Sequence, residues 1–193
     1  QDHKARDDGD KGPNTGGMGA YSPAPVVTAQ VHAMVMRDVI EPTLAGMAKD
    51  GAPYIGFLYA GLMIDDEGNP KVIEFNCRFG DPEAQPVMMR LQSDLLQACQ
   101  AAVAGTLADL QLQFDQRVAL GVVMAAGGYP AAYETGDIIT GLDKELADTK
   151  VFHAGTREQQ SDIVTAGGRV LCVVGLGETV GQAQARAHSR VAT

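Results

Sequence analysis

Basic residues are scarce in this chain. Lys and Arg number 15 against 24 Asp and Glu, a net charge of −9. A nucleic-acid groove needs a basic stripe, so nucleic acid is not an expected partner. Nucleotide binding stays open, because Mg²⁺ and a few local cations can carry phosphate charge. Cysteine is scarce as well. Cys77, Cys99 and Cys172 are odd in number, and their spacing forms no metal knuckle. Each sits in an apolar or strand-like context, so they read as buried free thiols in a reducing cytosol. His3, His32, His153 and His188 all lie far from Cys77 in sequence, and nothing equips Cys77 as a nucleophile. No apolar run approaches ~18 residues, so neither a membrane span nor a membrane partner is expected. No signal peptide is visible. Hydrophobic residues make up 45% of 193, enough for a sizeable core in one domain or two small ones. The chain starts at Gln1 without methionine, and Thr179–Thr193 reads as a helix with no clear stop. The expectation is a piece of a longer protein.

The most informative run is Val72-Ile73-Glu74-Phe75-Asn76-Cys77-Arg78-Phe79-Gly80-Asp81-Pro82-Glu83-Ala84-Gln85. It reads as a strand entering a charge-dense turn. Side chains alternate along a strand, so Glu74 and Asn76 share one face and Ile73 and Phe75 the other. A carboxylate beside an amide oxygen suits Mg²⁺, which shares a few protein oxygens with substrate phosphates. The competing reading is an edge strand with a solvated polar face. Arg78, Asp81 and Glu83 favour chemistry, although a turn salt-bridged through Arg78 to Asp81 or Glu83 would use the same residues.

The rest of the chain supplies context. Residues 1–17 are polar and Gly-rich and read as a loop with turns. Gly12, Gly16, Gly17 and Gly19 permit close backbone approach to a ligand, with Asn14 and Thr15 adding polar groups; a flexible connector is the alternative. Thr28 can cap a helix carrying Val31, Met34, Val35 and Val39, which Pro42 should kink, end or follow with a new one. Phe57–Ile64 reads as a buried strand, and the Asp65–Pro70 turn leads back into Val72–Asn76 as an antiparallel hairpin. Ser93 can cap a helix with Leu96, Cys99 and Val103 on one face. Gly105–Gln116 reads as a linker. Beyond it, strands are expected at Ala119–Ala126, around Ile138, Val151 and Val164, and at Arg169–Gly175. A helix follows with Val180, Ala183, Ala187 and Val191 on one face. Strands with turns and a closing helix predict an α+β module. Gly175, Gly177 and Gly181 do not have the spacing of a dinucleotide fingerprint.

Two stretches go beyond generic pattern. GPNTGGMGAYSP (12–23) and NCRFGDPEAQ (76–85) closely resemble the phosphoribosylamine–glycine ligase (glycinamide ribonucleotide synthetase) family. LGVVMAAGGYP (120–130), KVFHAGT (150–156) and GGRVLCVVGLG (167–177) look like that family's C-terminal domain. The resemblance implies an α+β fold: the C-terminal half of an ATP-grasp domain, an antiparallel sheet with helices, over 1–105, then a small α+β terminal domain over 106–193. It implies a partner, the N-terminal remainder of the same polypeptide, without which this piece alone should not turn over. The alternatives are an ATP-grasp carboxylate–amine ligase of different specificity and a non-catalytic ligand-binding module.

The implied activity joins glycine to 5-phosphoribosylamine at the expense of ATP, through a glycyl phosphate, in purine biosynthesis. The resemblance implies ATP and Mg²⁺ (or Mn²⁺) as cofactors. Glu74 and Asn76 would hold the metal. Arg78 would stabilise the phosphoryl group, and Asp81 would orient the amine or fix Arg78. Gly12, Pro13, Asn14, Thr15, Gly16 and Gly17 would join Arg78 and Asp81 in binding substrate, largely through backbone N–H groups. Leu62 and Phe75 would pack near adenine, or serve only as core.

Overall fold

The computed structural model describes all 193 residues. In chain order the elements are β1 (Asp2–Asp7), β2 (Lys11–Ser22), α1 (Ala29–Val35), a π-helical stretch (Met36–Ile40), α2 (Glu41–Lys49), β3 (Tyr59–Ile64), β4 (Pro70–Asn76), α3 (Ala84–Arg90), α4 (Leu95–Ala104), a 3₁₀ turn (Leu107–Asp109), β5 (Val118–Ala125), β6 (Thr149–His153), β7 (Thr156–Gln159), β8 (Asp162–Thr165), β9 (Arg169–Gly177) and α5 (Val180–Val191). No helix is long and apolar enough to cross a membrane. They fall into two compact units: residues 1–22, 81–91 and 114–193 form the first, and 23–80 and 92–113 the second.

The first unit is built on a five-stranded antiparallel sheet in the order β1-β2-β5-β9-β6, with β7 and β8 as a separate hairpin. Its centre is β9, where Val170 to Leu176 are buried almost without interruption because both faces are covered. Ala119, Val123, Cys172, Val174 and Leu176 form one cluster, with Met89 of α3 and Phe152 packed against it. The thiol of Cys172 is pushed up to about 12 by burial, assisted by the Asp81 carboxylate and opposed by Arg169, which makes it an inert core group. The polar, Gly-rich N-terminal segment corrects the expectation of a loop: it forms β1 and most of β2. Its backbone is held because Gly19–Ser22 pair with β5 and β1 pairs back on β2, irregularly, with two register shifts. Tertiary pairing thus overrides weak strand propensity.

Helix α5 lies against β9 through Ala183 and Ala187, both fully buried. Thr179 caps it, its hydroxyl accepting from the Gln182 N–H. The glycines of the GLG run explain the close approach. A Cβ on Gly175 would strike the Ala183 carbonyl oxygen and lie 2.8 Å from the Ala187 nitrogen; one on Gly177 would lie 2.5 Å from the Ala183 nitrogen. Backbone cannot rotate aside, so Gly175→Ala should cost about 3 kcal/mol and lower the melting temperature by roughly 6–12 °C. Gly181 has nothing within 4 Å of such a Cβ, so Gly181→Ala should melt at or slightly above the parent. Equal melting of the two variants would refute this packing account. An ion-pair cluster also links β5 to α5: Arg117 bonds Asp115 (2.7 Å) and Asp148 (2.8 Å), and Arg186 reaches Asp148 (3.0 Å). Hydrogen bonds from Arg117 hold the Asp115 carboxyl below its usual range.

In the second unit, Thr28 caps α1 through the Val31 N–H, and Val31 and Val39 are buried as the stripe predicts. Pro42 opens α2 in its first turn. Three expectations are corrected. The cap of α4 is Asp94, whose carboxylate accepts from Leu96 and Gln97 N–H; Ser93 instead accepts from the Gln113 N–H. The Leu96–Cys99–Val103 stripe is not the packed face, since Leu96 and Val103 are exposed and Ala98 is the buried residue. Gly105, at φ 74°, ends that helix in the left-handed conformation. Strands β3 and β4 form the expected antiparallel hairpin, closed by an Asp65 carboxylate that accepts from the Glu67 and Asn69 N–H groups. The hairpin is not buried as the apolar run suggests. Met63, Val72, Ile73 and Phe75 are 59%, 45%, 65% and 42% exposed, so its apolar surface is uncovered in this chain.

Candidate active site

The predicted residues divide between the two units. Leu62, Glu74, Phe75, Asn76 and Arg78 belong to the second, and Gly12–Gly17 and Asp81 to the first.

On the β3–β4 hairpin, Asn76 pairs with Tyr59 and Glu74 with Gly61. A register shift between Gly61 and Leu62 leaves Ile73 as the extra residue of a bulge. Glu74 and Asn76 therefore share a face, as alternation predicts. Gly61 gives Glu74 its space: a Cβ there would lie 3.0 Å from Glu74 Cγ. Glu74 is exposed. Asn76 Oδ1 accepts from Arg78 Nη2 at 3.3 Å, while its Nδ2 is buried without a partner. Arg78 Nη1 donates to the Phe79 carbonyl at 2.8 Å, and the Phe79 ring packs tilted by 32° against Phe57 with ring centres 4.1 Å apart. Phe75 pairs with Ala60, and Leu62 with Val72. No group of three or more His, Cys, Asp or Glu forms a closed metal cage. One carboxylate and one amide oxygen on a single strand face fit a hard cation that completes its shell with phosphate and water oxygens, and do not fit a structural zinc.

In the first unit the glycine segment lies on β2. Gly12 and Gly17 have φ of 82° and 124°. Thr15 Oγ1 donates to the Lys4 carbonyl (2.8 Å) and accepts from the Gly17 N–H (3.0 Å), and the Gly16 N–H donates to the Tyr129 hydroxyl (3.1 Å). Both of those N–H groups, expected to face substrate, are thus engaged inside the unit. Gly17 also packs on Pro82, which follows Asp81 across a cis peptide bond. A Cβ at Gly17 would lie 2.8 Å from Asp2 Oδ1. The Asp2 side chain is 10% exposed and its Oδ2 forms an ion pair with Lys4 Nζ at 2.5 Å, while its Oδ1 is buried without a hydrogen-bond partner.

The carboxylate of Asp81 faces Arg169, the first residue of β9, at 2.9 Å. Arg169 Nη1 donates to the carbonyls of Asp81 (2.8 Å), Gly16 (3.1 Å) and Gly17 (3.4 Å). Gln85 Nε2 adds a contact of 3.3 Å to Asp81 Oδ1. Sequence reasoning missed Arg169, Tyr129 and Asp2. For Arg169 one signal existed: a lone cation opening an otherwise apolar central strand must find acceptors. An open cleft of about 490 Å³ lined by Gly127, Ala132, Tyr133, Glu134 and Asp137 contains none of the predicted residues.

Comparison with known proteins bears on the family and the fold. Residues 1–84 match the phosphoribosylglycinamide synthetase ATP-grasp (A) domain, and residues 119–193 match the C domain of the same synthetase. A phosphoribosylamine–glycine ligase of Allochromatium vinosum is 62% identical over 99% of this chain, and one of Vibrio cholerae 64% identical over 97%. The chain spans 45% and 44% of the length of these curated relatives. The crystal structure of phosphoribosylamine–glycine ligase from Thermotoga maritima superposes with a TM-score of 0.87 at 36% identity, covering 100% of this chain and 47% of that one. With both domains of one synthetase matched in order and the fold shared along its whole length, the chain belongs to the phosphoribosylamine–glycine ligase family.

Proposed function

We propose that the protein carrying this chain ligates glycine to 5-phosphoribosylamine with ATP, forming glycinamide ribonucleotide, ADP and phosphate in the cytoplasm. The observation that carries the reading is the single face of β4 bearing Glu74 and Asn76, continued into Arg78 within a chain of this family. The rest of the polypeptide belongs to the proposal, because the chain spans less than half of its relatives. So does the division into an ATP-grasp portion (1–105) and a terminal α+β domain (106–193): the matches over 1–84 and 119–193 are consistent with two family domains in that order, while the compact units divide the chain differently, grouping 1–22 and 81–91 with 114–193.

The chemistry sets the residue roles. A carboxylate is a poor electrophile because its leaving group would be oxide. Its oxygen therefore attacks the γ-phosphorus of ATP, the bond to the bridging oxygen breaks, and ADP departs. The amine nitrogen then attacks the carbonyl carbon of the glycyl phosphate, and phosphate leaves as the nitrogen loses a proton. Glu74 and Asn76 hold Mg²⁺ or Mn²⁺, which supplies charge neutralisation on the phosphates when bound. Arg78 directs its remaining N–H groups at the transferring phosphoryl oxygens. Asp81 and the Gly12–Gly17 segment bind and orient the amine substrate, Gly12, Pro13 and Asn14 by contact and Thr15, Gly16 and Gly17, whose groups are engaged inside the unit, by holding the segment's shape. Leu62 and Phe75 border the adenine.

The test uses the full-length polypeptide. ADP release should require both glycine and the amine, and glycine should exceed alanine and serine in kcat/KM. Faster turnover with another amino acid would overturn the substrate assignment, and ADP release without any amino acid would overturn the ligase.

A further inference from the structure

We infer that Arg169 is a positioning residue for the amine substrate: it fixes the Asp81 carboxylate and the Gly16–Gly17 carbonyls as one rigid unit. The inference rests on the reading of Asp81 and the Gly12–Gly17 segment as substrate-binding groups.

Three observations carry it. First, one guanidinium joins segments remote in sequence. Nη2 binds Asp81 Oδ2, and Nη1 is shared among the carbonyls of Asp81, Gly16 and Gly17. Second, the anchor is stiff. Arg169 opens the central strand β9, and its side chain is 22% exposed. A Cβ on Gly16 would lie 3.1 Å from Arg169 Cζ, so the glycine backbone rests on the guanidinium plane. Third, the junction is closed from its other side. Pro82 is fully buried and packs on Gly17, and the Tyr129 hydroxyl takes the Gly16 N–H. Asp81 therefore has one oxygen and one orientation set from β9, and the Gly16 and Gly17 carbonyls are held by Arg169, which fixes the course of the glycine segment.

A planar fork is required. Arg offers donors on two nitrogens set apart at fixed angles, whereas Lys is a point charge on one nitrogen. Lysine at 169 keeps the charge near Asp81 and cannot also span the carbonyls of Gly16 and Gly17. Misplacing a substrate-orienting group by about 1 Å costs up to ~100-fold.

The experiment is steady-state kinetics on the full-length ligase with Arg169→Lys, Arg169→Gln and Asp81→Asn, and melting temperatures alongside. Arg169→Lys should raise KM for 5-phosphoribosylamine about 10-fold or more, with KM for ATP unchanged and kcat altered less than about threefold. Arg169→Gln should resemble it, and the loss in the Arg169→Lys/Asp81→Asn pair should be smaller than the product of the two single losses, since part of the Arg169 effect acts through the Asp81 carboxylate and the rest through the Gly16 and Gly17 carbonyls. Unchanged amine KM in Arg169→Lys while Asp81→Asn is impaired overturns the positioning role. Equal loss of affinity for amine and ATP, tracking a lowered melting temperature, overturns it as well. If Asp81→Asn itself leaves every parameter unchanged, the underlying assignment of Asp81 is the one that fails.

Discussion

Glu74→Gln should lower Mg²⁺-dependent turnover by at least about 100-fold while leaving the protein folded. The size follows from what the substitution removes. Disturbing a group that merely supports a metal ligand costs roughly 10–100-fold, so neutralising a direct carboxylate ligand should cost at least the upper end of that range. Gln keeps the shape and one oxygen and loses the charge that a hard, strongly hydrated cation selects. The fold should survive for an equally physical reason. Glu74 is exposed on the β3–β4 hairpin, its neighbour across the ladder is Gly61, and exposed substitutions of this kind usually stay within about 0.5 kcal/mol. The deficit should shrink as Mg²⁺ is raised or replaced by Mn²⁺, because the defect lies in metal occupancy. Circular dichroism and melting temperature establish that the variant is folded, and a metal titration of turnover reads the effect. Normal turnover at ordinary Mg²⁺ would remove Glu74 from the metal site.

The reasons some features were legible in the sequence, and others not, are local. The β3–β4 hairpin was readable because Asp65–Pro70 is a strong turn between two strand-like runs, and the shared face of Glu74 and Asn76 follows from a period of two. The bulge at Ile73 was not readable, since it depends on which residue of β3 each residue of β4 pairs with. The N-terminal strands were hidden for a similar reason. Their glycines and charged residues disfavour strand, and what holds Gly19–Ser22 extended is β5, about a hundred residues later. The cap of α4 fell to Asp94 because Ser93 had a long-range partner in Gln113. Arg169 shows the limit most clearly. Its partners lie 88, 152 and 153 residues away, and only topology brings them together. Periodicity reports which face a residue takes, not which distant backbone it meets.

Arg78→Lys should reduce kcat about 100-fold and change ATP affinity less than about threefold. Arg78 is anchored at one edge, by Nη1 to the Phe79 carbonyl and Nη2 to Asn76 Oδ1. A guanidinium carries five N–H groups. The two anchors fix its plane and leave three N–H groups for a phosphoryl group, whose charge in the transition state is spread over three equatorial oxygens. Lysine retains the charge and can satisfy one anchor. It cannot hold both and still present a planar, bidentate edge. What is lost is therefore geometry that matters as the phosphoryl group transfers, and little of the attraction that binds ATP in the ground state. An arginine that stabilises phosphoryl transfer is worth about 10³- to 10⁵-fold when absent altogether, so Arg78→Ala should fall well below the lysine variant. Nucleotide titration gives the affinity, and single-turnover ADP formation gives the chemical step. Weakened ATP binding with an unchanged chemical rate would assign Arg78 to the ground state. Coupling should also appear with Asn76: because Arg78 is oriented through Asn76 Oδ1, Asn76→Ala should lower the chemical rate beyond what restored metal occupancy recovers. Full recovery of Asn76→Ala at saturating Mg²⁺ would show that the 3.3 Å bond to Arg78 has no part in orienting it.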